Sequence, residues 1–317
     1  MKHLPTQEDL LQAKVRVQPF IHPTPFLESQ QINRLLGLRC VFKSEHLQKT
    51  GSFKVRGALN ALQLLSESER RKGVITHSSG NHGQALAWAG GMMNSQVHVV
   101  VPKDAPQVKV EAMRQYGAQI HFCAPGQAAR ESLCQALIQE YGFAFIPPYD
   151  DYRIIAGQST MMQECLAQIS DLDGAFVPVG GGGLLSGSLL AKKYLRPELP
   201  VYGAEPEQAD DAFRSLQTGE RQAQLAPNTM ADGLRTALGE RNFPIIQAEV
   251  AGIITVSEAA IAEAMGWIFT YLKQAIEPSA AVSLAAIAKE RERWQGKTVL
   301  SILCGGNADF SSMVKMR

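Results

Sequence analysis

Four consecutive glycines, Gly180 to Gly183, separate the apolar run AFVPV from the helix-like run LLSGSLLAKKYL. A tight turn needs one or two glycines. Four leave a stretch of bare backbone whose N–H groups can converge on an anion, beside the positive end of the following helix. A plain tight turn is the bland alternative. Either way the segment is a strand–turn–helix unit, and the chain repeats that unit. GVITHSS (73–79) precedes NHGQALAWAGGMM, QVHVVVP (96–102) precedes QVKVEAMRQYG, and AQIHFC (118–123) precedes QAARESLCQALIQEYG. VYGAEP and TVLSILCGG (298–306) extend the series. Continuous β-branched runs alternating with helices predict an α/β fold of two open, mostly parallel sheets with helices on both faces. Gly37 after INRLL and Gly117 after RQY read as helix stops.

The 317 residues exceed what one compact core usually fills. The dense β-α series predicts a small mobile domain at 68–147, inserted into a large domain of 1–67 and 148–317. Helical stretches at 257–293 suit the outer layer of the large domain. A net charge of +1 argues against nucleic acid or an anionic membrane as partner. Five cysteines without a CxxC pair argue against a disulfide framework or a zinc site, and for a reducing compartment. MKHLPTQEDLLQAK lacks the apolar stretch of a signal peptide, and no run of about 18 apolar residues predicts a membrane span. The expected compartment is the cytoplasm.

The glycine run is not G-x-G-x-x-G, and no acid follows at the dinucleotide spacing, so a cofactor with one phosphate fits better than NAD. SSGNHG (Ser78 to Gly83) makes a second anion nest, suited to a carboxylate, with Asn81 able to reach a ring hydroxyl. Ordinary N-capping by Ser78 and Ser79 is the alternative, and His82 alone reads as structural. QKTGSFKVRGALN holds Lys54 between the tight Gly51-Ser52-Phe53 turn and an apolar helical run, with Arg56 two positions on. The phosphate-loop pattern G-x-x-x-x-G-K-[ST] is absent, which points to the amine of Lys54 rather than its charge. Held against an aromatic ring in a partly dry cleft, such an amine has the lowered pKa that a Schiff-base lysine needs. A solvated lysine on a first helical turn is the alternative.

In the order Lys54, Asn81, Gly180–Gly183, Cys304-Gly305-Gly306-Asn307, these motifs resemble the serine racemase and serine/threonine dehydratase group of fold-type II pyridoxal phosphate enzymes. KTGSFKVRGALN, THSSGNHGQA, IAGQST, VPVGGGGLLSG, YGAEPEQADD, ADGLRTALG and IEPSAA carry the resemblance across essentially the whole chain. It implies pyridoxal 5'-phosphate on Lys54, Phe53 against its ring, Asn81 at its O3′, and Cys304 facing its nitrogen. It also implies a phosphate seat at Gly180, Gly181, Gly182, Gly183 and Leu184. Ser78, Ser79, Asn81, His82, Arg130 and Thr236 would contact the amino acid substrate, with Ser79 the acid/base group opposite Lys54. Glu205, Asp211 and the Ala209 carbonyl would bind Mg²⁺, or Ca²⁺ or Mn²⁺. A homodimer is implied too.

Departures sharpen the expectation. Ser79 favours a racemase-like subgroup, although hydroxyaspartate dehydratases share the double serine. Tyr149-Asp150-Asp151 looks more like dehydratases. Thr236 replaces a family serine and keeps the hydroxyl. Cys304 replaces the usual serine, as in some serine dehydratases; it is no acid, so the ring nitrogen would stay largely unprotonated and elimination is favoured. Cys304 as a small packing residue is the alternative. Gln30 and Gln31 speak against ATP activation. The implied activity is racemisation, α,β-elimination, or both, on a small β-hydroxy amino acid: a serine racemase with serine/threonine ammonia-lyase activity. The alternative is a 3-hydroxyaspartate dehydratase, with Arg130 and Arg235 for the distal carboxylate. A synthase of cysteine type is disfavoured by the lysine turn. The reading from another class is a catalytically silent binding protein on the same fold.

Overall fold

The structure, a computed structural model, describes Met1 and residues 3–308. Its larger sheet holds β1 (Phe26–Glu28), β2 (Arg39–Lys43), β7 (Gly174–Pro178), β8 (Val201–Pro206), β9 (Gly252–Val256) and β10 (Thr298–Ile302). They lie in the order β1-β2-β10-β7-β8-β9, parallel throughout except for β1. The smaller sheet holds β3 (Val74–His77), β4 (Val97–Pro102), β5 (Gln119–Cys123) and β6 (Ala144–Phe145), parallel in the order β5-β4-β3-β6. The predicted α/β class of two mostly parallel sheets is therefore present.

Every residue of β7, β8 and β10 is buried, which is why those segments read as unbroken apolar runs rather than alternating ones. The helix Pro278–Lys289 covers one face of the larger sheet and is itself almost wholly buried. The helices Tyr152–Gln168 and Gly183–Leu195 pack against each other on the opposite side. The smaller sheet shares a second core with the helices Lys54–Gln63 and Asn81–Met92, through Val55, Leu59, Leu62, Leu86, Val97 and Val99.

Arg56 ties the Lys54 helix to the segment after β2 and to the helix Tyr152–Gln168. Its guanidinium is fully buried and forks onto Glu45 (2.7 and 2.8 Å) and Glu164 (2.6 and 2.9 Å), while buried Lys43 reaches Glu164 at 2.7 Å. Burial alone would raise the Glu45 pKa, but Arg56 and Lys43 hold it below the usual carboxylate range. Removing one partner of such a buried pair costs about 3–5 kcal/mol, so the start of the Lys54 helix is clamped to the floor of the fold.

Candidate active site

The C-terminal ends of parallel strands carry ligand sites because the following helices point their N-termini there. Here the loops after β3, β7 and β10 converge on one cavity of about 400 Å³. It is lined by Phe53, Lys54, Ser78, Ser79, Asn81, His82, Arg130, Gly180 to Gly183, Leu184, Thr236 and Cys304. Every residue expected to hold the cofactor ring, the phosphate or the substrate is therefore in one place. Glu205, Ala209 and Asp211 are not among the lining residues.

Two of the helices that begin at the cavity start from a glycine and have no side-chain cap. Gly182 precedes Gly183–Leu195 and Gly80 precedes Asn81–Met92, and neither helix has a capping hydrogen bond from a side chain. Ordinary N-capping by Ser78 or Ser79 is not seen; the Ser78 hydroxyl accepts the Gly80 N–H at 3.3 Å instead. The first-turn N–H groups of both helices are thus open to an anion. Glycine is required at the first start. Gly182 has φ +90°, and a Cβ at Gly181 would stand 2.4 Å from the Tyr149 ring. These features fit a phosphate at one helix and a carboxylate at the other.

Lys54 donates to the Pro148 carbonyl at 3.0 Å, with its amine 5.2 Å from the Phe53 ring centroid. Burial lowers its pKa to about 8, and the neighbouring Cys304 and Glu277 only partly restore it. The ring is not the cause, since an aromatic face favours the charged amine. His82 is pushed down to about 3 by burial and then by Lys54, and its Nε2–H donates to the Ile146 carbonyl at 3.1 Å. It is a neutral imidazole with Nδ1 unpartnered. Burial pushes the Cys304 thiol well up, so it faces the cavity uncharged. The Nε of Arg130 is buried without a partner, whereas Arg235 spends Nε and Nη2 on the Thr229 carbonyl.

Glu205 and Asp211 are both fully buried. Backbone N–H groups of Ala212 (3.1 Å) and Phe213 (2.9 Å) reach Glu205, and those of Leu238 (2.8 Å) and the Gln224 amide (2.9 Å) reach Asp211. Burial, and then its neighbour's charge, lifts Glu205 well above the carboxylate range; burial pushes Asp211 up to about 6. Two buried carboxylates that repel each other fit a hard divalent cation, which takes such oxygens. Among the described residues no group of three or more His, Cys, Asp or Glu side chains converges as a metal site.

Sequence reasoning missed Glu277, which is 4% exposed and receives the Asn81 amide at 2.9 and 3.0 Å. Burial pushes its carboxyl up to about 7. The only signal was IEPSAA, where an acid before proline reads as a helix start. Tyr149, packed over Gly181, was noticed only as a departure from pattern.

An amine of lowered pKa between two open helix starts is the site of an enzyme that holds a phosphate-bearing aldehyde cofactor. The chain belongs to the family of pyridoxal-phosphate dependent enzymes, whose model matches residues 17–305. It is 46% identical over 315 residues to a serine racemase of Dictyostelium discoideum, covering 98% of this chain and 97% of that one. It is 43% identical over 311 residues to a β-hydroxyaspartate dehydratase of Paracoccus denitrificans, covering 98% and 99%. The solved structure of maize serine racemase superposes with a TM-score of 0.96 at 36% identity, covering 99% of this chain and 97% of that one.

Proposed function

We propose that this chain uses pyridoxal phosphate to racemise serine and to eliminate water and ammonia from serine or a related β-hydroxy amino acid. The carrying observation is the Lys54 amine, lowered to about 8, in one cavity with two uncapped helix starts. The relatives named serine racemase and β-hydroxyaspartate dehydratase support the same reading. Bound there, the cofactor would supply an electron sink for the substrate Cα. The N–H groups of Gly180 to Leu184 would hold its phosphate, and those of Ser79 to His82 the substrate carboxylate. Lys54 Nζ would hold and return the Cα proton on one face, and Ser79 Oγ on the other. Asn81 would meet the ring hydroxyl, Phe53 the ring, and the neutral Cys304 thiol the ring nitrogen. Thr236 would offer its hydroxyl to the substrate.

A second reading, 3-hydroxyaspartate as substrate, is favoured by Arg130, which lines the cavity and whose guanidinium would pair with a distal carboxylate. Arg235, tied to Thr229, is the weaker candidate. Glu205, Asp211 and the Ala209 carbonyl would hold Mg²⁺, Ca²⁺ or Mn²⁺, supported by the uncompensated carboxylate pair. Residues 68–147 would move as a small domain against 1–67 and 148–317. The protein would work as a cytoplasmic homodimer without nucleotide activation; five buried free cysteines suit a reducing compartment.

The test is purified protein incubated with pyridoxal phosphate and assayed by chiral chromatography on the D and L forms of serine, threonine and hydroxyaspartate. A visible absorption band, abolished by borohydride and missing in Lys54→Ala, with keto acid or inverted amino acid formed, is expected. Lys54→Ala should lose at least about 10³-fold in turnover. A colourless protein would leave a silent binding protein as the better reading.

A further inference from the structure

Asn307 stands in the loop after β10 and donates both hydrogens of its amide. One goes to the Thr50 carbonyl at 2.7 Å and the other to Asn81 Oδ1 at 2.9 Å. Asn81 Nδ2 in turn points one hydrogen at the Glu277 carboxylate, shared between its two oxygens at 2.9 and 3.0 Å, and keeps its second hydrogen. The order Thr50, Asn307, Asn81, Glu277 has only one consistent polarity. A main-chain carbonyl can accept and never donate, so it fixes which end of the Asn307 amide is nitrogen. That nitrogen then demands the oxygen of Asn81, and the Asn81 nitrogen is left facing Glu277. The local backbone is shaped for this relay. Thr50 and Gly51 adopt φ +58° and +71°, and a Cβ on Gly51 would stand 2.4 Å from Asn307 Oδ1. Gly306 N–H donates to the Gly51 carbonyl at 2.9 Å and Phe53 N–H to the Cys304 carbonyl at 3.1 Å, so the Lys54 turn and the CGGN segment are laced together.

We propose that Asn307 is a positioning residue: with Glu277 it locks the Asn81 carboxamide so that the cavity is offered an N–H donor and never the carbonyl. This rests on the reading that Asn81 meets a cofactor ring hydroxyl. A fixed donor there favours the hydroxyl as its anion, because hydrogen bonding to the charged form stabilises it. It also answers a point left open by the motifs, which assign Cys304 and leave Asn307 without a task. The relay crosses the cleft as well, because Asn81 opens a helix of the smaller unit while Thr50, Asn307 and Glu277 flank the ends of the larger sheet.

The holoenzyme tests this through the two absorption bands of bound pyridoxal phosphate, which report whether the ring oxygen carries a proton. Asn307→Asp turns a donor into an acceptor opposite Asn81 Oδ1, and Asn307→Ala removes it; Glu277→Gln alters the far end of the relay. Each should shift the band ratio towards the protonated ring oxygen and weaken cofactor affinity of the apoprotein by about tenfold. Folded variants with band ratio and affinity within about twofold of wild type overturn the relay, since a merely structural role lowers the melting temperature and leaves the ratio alone. A wild-type chain that takes up no pyridoxal phosphate overturns the cofactor reading first, and this inference with it. If the variants do not fold, side-chain amide exchange in the wild type decides. Protected Asn81 and Asn307 amide hydrogens support the relay, and exchange at the rate of a free amide overturns it.

Discussion

The floor and the outer wall of the cleft are built differently. The floor, Gly180 to Gly183, Leu184, Glu277 and Cys304, is buried and rests on strands covered on both faces. The wall, Ser78 to Asn81 with Arg130, is half-buried and hangs from the smaller sheet. Behind that sheet lies a satellite core of Ile75, Val100, Cys123, Cys134 and Leu137, and β5 is largely open to solvent. Among the described residues, few side-chain bonds tie the wall's side of the cleft to the floor's side: the Asn81–Glu277 contact, the Asn81–Asn307 contact and an ion pair from Lys109 to Asp232. A floor of fixed backbone suits a ligand that stays, and a lightly tied wall suits one that enters and leaves. Low local contact density is where opening is cheapest.

If the two sides divide the chemistry in this way, Ser79→Ala should separate two activities of one site. Racemisation should fall by at least about 10²-fold, since a proton must be handled from the wall side. Elimination from the L-substrate, which draws on Lys54 beside the floor, should stay within about fivefold of wild type. Equal loss of both, measured by chiral separation and keto-acid release on the same samples, would make the wall a binding surface only.

The floor was the more legible side, for a physical reason. Fully buried parallel strands are continuous apolar runs, so β7, β8 and β10 stand out in the chain, and a four-glycine turn has few other uses. The short β1 and β6, three and two residues long, leave no periodicity to read. β9 was missed because GIITV is only partly buried and follows closely on the short helix Asn242–Glu249. Polar partnerships were hidden by distance. Arg56 meets Glu164 across 108 positions, Asn81 meets Glu277 across 196, and Asn307 meets Asn81 across 226. No local pattern encodes such pairs. The lowered pKa of Lys54 was readable from its setting, but its cause is burial rather than the neighbouring ring.

A smaller effect separates Lys54, beside the floor, from an ordinary solvated lysine. Only the neutral amine can attack an aldehyde, so capture of pyridoxal phosphate by the apoprotein should speed up about tenfold per pH unit below about 8 and level off above it. A solvated lysine would keep climbing towards 10.5. The same shift has a sign in stability. Between about 8 and 10.5 the unfolded lysine holds a proton that the folded one lacks, so this group makes folding more favourable as pH rises through that window. Below about 8 both states hold the proton and the contribution is flat, with the cost of a buried charge in place. Lys54→Met should remove the rise, as followed by urea unfolding across that range.

The smallest expected effect lies behind the floor, at Glu205 and Asp211. If a divalent cation sits between them, chelation should lower the melting temperature by about 3–8 °C, and Mg²⁺ should restore it. Substitution gives the sharper answer because the two cases differ in sign. Without a cation, Glu205→Gln replaces a buried carboxyl whose pKa burial and the charge of Asp211 lift well above the carboxylate range, so the protein becomes equally or more stable. With a cation, the same change takes away a ligand charge and leaves the ion poorly held, so the protein melts lower and no longer responds to Mg²⁺. A Glu205→Gln protein that melts higher than wild type, indifferent to chelator, would make the pair a strained packing feature. The floor would then owe its rigidity to the buried strands and the Arg56 clamp alone.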